Sequence, residues 1–238
     1  MSGFSEVKMI INKYFYDDSF ELNDALLRYT KEKIANSKKE KPCIYLSGGA
    51  TPSNFYQRLA EMDLANINFA MVDERWVDTE NKASNEAFIR RCFDLNPDFN
   101  LTGLKNEALT AQRGWQKAEN TYRHLPDNPT LIFLGMGKDG HIASLFPGAL
   151  GIGDAMDLKN KHRLAVIEAI KSDVTGQWVE RITITLAHIL RSQSLVLLIQ
   201  GEEKHELLNH ILDTDDFHYP VSAILHQNQV AIDLFWCP

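Results

Sequence analysis

Three short stretches of the sequence combine permissive glycines with side chains able to bind an anion or move a proton. The first is Leu46-Ser47-Gly48-Gly49-Ala50-Thr51-Pro52, set between an apolar run and a helical one. Gly48 and Gly49 let the backbone approach a ligand closely, and a helix starting just beyond, with Thr51 as its cap, offers free N–H groups and the positive end of a dipole. That geometry favours phosphate. It lacks the lysine of a GxxxxGK[ST] loop and the third glycine of GxGxxG, so neither nucleotide nor dinucleotide binding follows. Ser47 is no nucleophile of the G-x-S-x-G kind, because Tyr45 stands where that turn needs glycine.

The second stretch, Met71-Val72-Asp73-Glu74-Arg75-Trp76, is an apolar run that ends in three charged residues. In an open α/β sheet, ligands lie beyond the carboxyl ends of the strands, which is where Asp73 and Arg75 would emerge. Ser84 and Asn85 open the next helical run and could both cap it and line the same cleft. The third stretch runs from Gly135 to Gly148 and holds Gly137, Asp139 and His141. Histidine titrates near neutrality and serves as a general base when a neighbouring carboxylate fixes its tautomer. Asp139 and Asp73 are both candidates for that carboxylate.

No metal-ligand constellation accompanies these loops. His205 and His210 form HELLNH, one residue longer than HExxH, and five steps of about 100° set their rings roughly 140° apart on a helix. Both are expected to face solvent. Cys43, Cys92 and Cys237 are odd in number and have no CxxC spacing, as expected for reduced, unligated thiols.

The elements that must carry the loops alternate. Strand-like runs cover 9–16, 43–47, 69–72, 131–135, 164–169, 181–186, 195–200 and 230–235, with helical patterns at 20–37, 52–61, 83–93, 111–124 and 202–212. Several strand runs are continuously apolar, as strands covered on both faces require. The expected architecture is a doubly wound, Rossmann-like α/β fold, a mainly parallel sheet flanked by helices, with 1–238 forming one domain. The stretch 148–161 has no clear period and is expected to be a surface loop.

Composition narrows the function classes. The 25 Lys and Arg against 32 Asp and Glu leave a formal charge of −7, the wrong sign for a nucleic-acid binder. No apolar stretch approaches the roughly 20 residues needed to span a bilayer, and the start of the sequence does not read as a secretory signal. A cytoplasmic protein is expected, and a small anionic ligand stays open, since that needs only a local positive pocket.

Read together, the loops resemble the 6-phosphogluconolactonase family. SGGATP is similar to its SGG[ST]TP turn, VDER with Ser84-Asn85 to its DER…SN segment, and LGMGKDGHIASLFPG to its LGMGxDGHTASLFPG signature. RITITLAHIL (181–190) and Gly201-Glu202-Glu203-Lys204 are similar to its RITLT strand and GxxK helix start. The resemblance implies hydrolysis of 6-phospho-D-glucono-1,5-lactone without metal or cofactor. It makes His141 the general base and Arg75 a cation near the reacting end, with Ser47, Gly48, Gly49, Thr51, Asn85, Gly137 and Lys204 around the substrate and its phosphate. It also implies a small-molecule partner; the sequence leaves monomer and homodimer both open. Asp78 and Ile142 depart from the family's usual proline and threonine, and 171–180 lacks its proline-rich stretch. Two other readings compete: a glucosamine-6-phosphate deaminase/isomerase, and a non-catalytic sugar-phosphate sensor. The first normally carries an acidic FNEP after the histidine loop, where Phe146 and Pro147 stand here, and the second needs a basic DNA-binding face.

Overall fold

The computed structural model describes residues 10–214 and 216–238, so the first residue of the strand expected at 9–16 lies outside the described residues. The first half contains β1 (Ile11–Phe15), α1 (Ser19–Ala35), β2 (Cys43–Leu46), α2 (Ser53–Leu59), β3 (Asn68–Met71), β4 (Asp73–Arg75), α3 (Asn85–Cys92), β5 (Leu101–Thr102) and α4 (Ala111–Tyr122). The second contains β6 (Leu131–Gly135), α5 (Ile152–Met156), β7 (Leu164–Glu168), β8 (Glu180–Ile184), α6 (Leu186–Ile189), β9 (Leu195–Gln200), α7 (Glu202–Thr214), α8 (Ser222–Leu225) and β10 (Ile232–Cys237).

Seven strands form one parallel sheet in the order β1-β10-β9-β6-β2-β3-β5. Its central strands β2, β6 and β9 are almost wholly buried, which accounts for their continuous apolar runs. The chain grows outward from β2 in one direction and from β6 in the other, so the order reverses between these neighbours. A crevice opens at such a reversal, beyond the carboxyl ends of the strands.

Two expected strands lie elsewhere. The runs at 164–169 and 181–186 become β7 and β8 of a separate antiparallel sheet, β4-β8-β7. Val72 is the junction: its N–H donates to Leu46 O at 3.0 Å in the main sheet, while its carbonyl accepts from Ile184 N at 2.8 Å in the second. The apolar run at 69–72 therefore continues into β4 instead of ending at the charges. The expected loop at 148–161 contains α5, a single short helix opened by the left-handed Gly151, whose added Cβ would lie 2.3 Å from Val166 O.

Buried tyrosines fix the strand ends. Tyr56 of α2 donates its hydroxyl to Ser47 O at 2.9 Å and accepts from Ser47 N at 3.0 Å. Tyr122 of α4 does the same for Met71 O and N, both at 2.9 Å. Each hydroxyl satisfies a donor and an acceptor that burial would otherwise leave unpaired, a loss of about 1–3 kcal/mol per group. The turn after β2 and the chain leaving β3 are thereby held to helices on the sheet.

Candidate active site

A cavity of about 270 Å³ opens at the reversal point, between the ends of β2, β4, β6 and β9. On one side the Ser47–Pro52 turn follows β2. Gly49 is left-handed, at φ +97°, and a Cβ on Gly48 would lie 2.1 Å from Asn85 Oδ1. Both positions thus need glycine, the first for its dihedral angle and the second for the close approach of Asn85. Thr51 does not cap the following helix. That place belongs to Pro52, without a side-chain bond, because the turn closes one residue later through Ser53 N and Ala50 O at 3.1 Å. Lys204, in the first turn of α7, faces the same cavity. Burial, reinforced by the Lys138 charge, lowers its ammonium from the usual lysine value.

On the β6 side the chain folds tightly over itself, with Gly137 N donating to His141 O at 2.9 Å and Gly140 N to Gly137 O at 3.1 Å. The His141 ring packs against Gly137, where a Cβ would meet its Cε1 and Nδ1 at 2.1 Å. Asp139 Oδ1 lies 2.5 Å from His141 Nδ1. Burial tends to raise the Asp139 carboxyl, but the bond and charge of His141 outweigh it and hold the group below the ordinary aspartate value. An ionised Asp139 places the ring proton on Nδ1 and leaves Nε2 as an acceptor.

Asp73 has a different task. Its Oδ2 accepts from Ser144 Oγ at 2.6 Å and its Oδ1 from Asn85 Nδ2 at 3.2 Å. It ties the β4, α3 and histidine-loop segments together without touching His141. Of the two carboxylates left open by the sequence, the fold sets Asp139 against the imidazole. Ala143, in the left-handed region at φ +49°, makes the bend between His141 and Ser144.

Glu74 points away from the cavity and is wholly buried. It accepts from the backbone N–H groups of Arg75, Asn85 and Glu86 at 2.7–2.8 Å, and from Ser84 Oγ at 2.9 Å. Burial pushes its carboxyl up to about 7 against the pull of these four donors. Ser84 in turn caps α3 through Ala87 N at 3.0 Å. The start of α3 is therefore bolted to β4, which sets Asn85 and Arg75; Arg75 Nη1 also donates to Ala83 O at 2.7 Å.

The cavity gathers Ser47, Gly48, Gly49, Thr51, Asp73, Arg75, Asn85, Gly137, His141 and Lys204, with Asp139 behind the imidazole. Sequence reasoning assigned no role to Arg181 of β8 or to Phe146, which also line it. An arginine at the head of the strand-like run 181–186, otherwise of isoleucine, threonine and leucine, was the available signal for the first. His205 corrects another expectation, since it stacks on Trp236 with centroids 4.2 Å apart and does not face solvent, whereas His210 is exposed. Among the described residues no three His, Cys, Asp or Glu side chains converge as metal ligands, and Cys43, Cys92 and Cys237 are free and buried.

A larger cavity, about 830 Å³, lies along β7 and α4, with Trp115, Leu150 and Leu164 in its wall. Four carboxylates, Asp154, Asp157, Glu168 and Glu180, line it, so it disfavours anions, whereas Arg75, Arg181 and Lys204 line the smaller one. Size alone does not locate the chemistry.

Residues 17–236 match the family described as glucosamine-6-phosphate isomerases/6-phosphogluconolactonase. A 6-phosphogluconolactonase of Pseudomonas aeruginosa is 30% identical over 211 residues, covering 87% of this chain and 85% of that protein. One from Pseudomonas putida is 29% identical and covers 99% of this chain and 98% of its own length. The crystal structure of a 6-phosphogluconolactonase from Shewanella baltica superposes with a TM-score of 0.89 at 27% identity, covering 98% of this chain and 100% of that one.

Proposed function

The chain belongs to the family of glucosamine-6-phosphate isomerases/6-phosphogluconolactonase, and we propose that it works as a lactonase, hydrolysing 6-phospho-D-glucono-1,5-lactone to 6-phosphogluconate. The observation that carries this reading is the pairing of His141 with Asp139 at one wall of a cavity whose other wall is the glycine turn and Lys204.

In the proposed reaction His141 Nε2 takes a proton from water as the water oxygen bonds to the lactone carbonyl carbon. The carbonyl oxygen gains negative charge, which Arg75 offsets. When the intermediate collapses, the bond from that carbon to the ring oxygen breaks, and the imidazolium returns its proton to the departing ring oxygen. No metal is required by these steps. The phosphate at the far end of the substrate meets the N–H groups of the Ser47–Pro52 turn and the Lys204 ammonium, with Asn85 and Gly137 shaping the space between. Asp139 holds the imidazole tautomer, and Asp73 holds the loops.

The same reading makes 1–238 one catalytic domain acting in the cytoplasm on a small phosphorylated lactone. Among the described residues no helix is long and apolar enough to cross a membrane. The deaminase alternative needs further proton-transfer groups, and Phe146 beside the His141 ring, centroids 4.3 Å apart, supplies none.

The test is disappearance of freshly generated 6-phosphogluconolactone above its spontaneous opening, in the presence of EDTA. Rapid loss of lactone and no ammonia from glucosamine 6-phosphate are expected. Steady ammonia release, or a lactone rate no faster than the blank, would overturn the reading.

A further inference from the structure

Arg75 and Arg181 are direct cross-strand partners in the antiparallel pairing of β4 with β8. Like charges directly opposite one another destabilise a strand pair, so this placement calls for an explanation. Period-two alternation puts Asp73, Arg75, Arg181 and Thr183 on one face, and that face fronts the cavity. Among the described residues neither guanidinium has a carboxylate oxygen within 4.0 Å.

Arg181 is only 3% exposed. It is held by neutral groups: Nε donates to Trp178 O at 2.7 Å, Nη2 donates to Thr175 O at 2.9 Å, and the guanidinium lies 5.3 Å from the Phe146 ring centroid. Its Nη1 makes no hydrogen bond among the described residues. Arg75 has spare capacity too, since its buried Nε is unpartnered. Burial lowers the Arg181 guanidinium to about 10, with Asp73 pulling it up and Arg75 pressing it down, so it stays charged at neutral pH. Two adjacent cations, one buried, with no carboxylate in contact, have the chemistry of an anion site.

Position says which anion. Phe146 bridges Arg181 and His141, with its ring 4.3 Å from the imidazole. The pair therefore stands at the proton-transfer end, whereas the glycine turn and Lys204 supply the other. We infer that Arg181 contacts the substrate, forming with Arg75 a two-guanidinium seat for the carbonyl oxygen of the lactone and then for the product carboxylate. Planar guanidinium groups suit two carboxylate oxygens held side by side. The inference rests on the lactonase reading and adds a consequence: the product, anionic at both ends, is held at both ends.

Calorimetric binding of two ligands tests it, 6-phosphogluconate and glucitol 6-phosphate, which carries CH₂OH in place of the carboxylate. The wild-type protein should bind the first about tenfold or more tightly than the second, as expected for charge-assisted bonds to the extra anion. Arg181→Met should weaken 6-phosphogluconate by about tenfold and leave glucitol 6-phosphate within about twofold. Arg181→Lys, which keeps the charge and loses the fork, should fall between. Equal losses for both ligands would move Arg181 to the phosphate end, and no loss for either would leave it an anchor for the 170–178 loop; each overturns the inference. Should Arg181→Met not fold, a wild-type ratio near one, or unchanged binding by Arg181→Lys, overturns it equally. A protein that turns over lactone yet shows no preference between the ligands refutes the seat alone, while absence of turnover refutes the lactonase reading itself.

Discussion

The two ends of the cleft are made of different material. The Ser47–Pro52 turn offers a ligand mainly backbone: two glycines and a helix start, with Lys204 lining the same cavity. The β4/β8 end uses side chains instead, projecting from paired strands and braced by the buried Glu74 carboxylate and the Asp73–Ser144 bond of 2.6 Å. A backbone site holds a tetrahedral dianion whose orientation matters little. Side chains on paired strands can be aimed at one developing charge. In the proposed reaction binding belongs to the turn and chemistry to the strand pair with its neighbouring histidine loop, and mutations should separate the two.

The largest effect should come from the reacting end. His141→Ala removes the base and should lower kcat by about 10²- to 10⁴-fold with little change in KM, because the phosphate end still binds. Steady-state rates corrected for spontaneous opening decide this. Retention of more than about a tenth of kcat by a folded variant leaves too small a share for a general base and breaks the division.

Lys204→Ala strikes the other end. A charge-assisted bond to phosphate is lost, so kcat/KM for the phosphorylated lactone should fall by about 10- to 100-fold. The rate with unphosphorylated gluconolactone should hardly change. Equal losses on the two substrates would place Lys204 outside the phosphate end, and a fall confined to kcat would assign it to the reaction.

The contrast also explains what the sequence made legible. The turn and the histidine loop are contiguous, so SGGATP and GKDGHIASLFPG display most of their chemistry in one reading, down to glycines whose added Cβ atoms would strike Asn85 and His141. The alternating order gave the parallel sheet for the same local reason. Arg181 became visible as a site residue only through pairing: nothing near it in sequence shows that it faces Arg75. The second sheet was hidden likewise, since the chain changes sheets at Val72 and its continuation, β4, consists of the charged Asp73, Glu74 and Arg75, which carry no apolar strand signal. Glu74 looked like one member of a charged cluster, yet it is a buried helix brace, because a strand's alternation turns it to the face opposite Asp73 and Arg75. Short α5 and α6 have too few residues to establish a period.

The smallest expected effect tests whether the two ends are independent. Asn85 lies between them: its Nδ2 donates to Asp73 O at 3.1 Å and Oδ1 at 3.2 Å, and its Oδ1 occupies the space beside Gly48. In Gly48→Ala the new Cβ would lie 2.1 Å from Asn85 Oδ1 and 2.3 Å from its Cγ, too close for either to remain. Displacing Asn85 loosens Asp73, and through Ser144 the histidine loop. A shift approaching 1 Å at reacting groups can cost up to about 100-fold, and a shift damped through two side chains should cost about tenfold in kcat/KM. The loss should appear with phosphorylated and unphosphorylated lactone alike, which sets it apart from Lys204→Ala. Gly49→Ala is the control, because its Cβ meets nothing within 4 Å and the variant suffers only the strain of φ +97°. That cost stays in the turn and should affect the phosphorylated substrate alone. Adding Asn85→Ala to Gly48→Ala removes the collision, so the double variant should be no slower than Asn85→Ala by itself, a non-additivity expected of residues in contact. If the two losses instead multiply, the message does not travel through Asn85, and the ends of the cleft are joined by some other path or not at all.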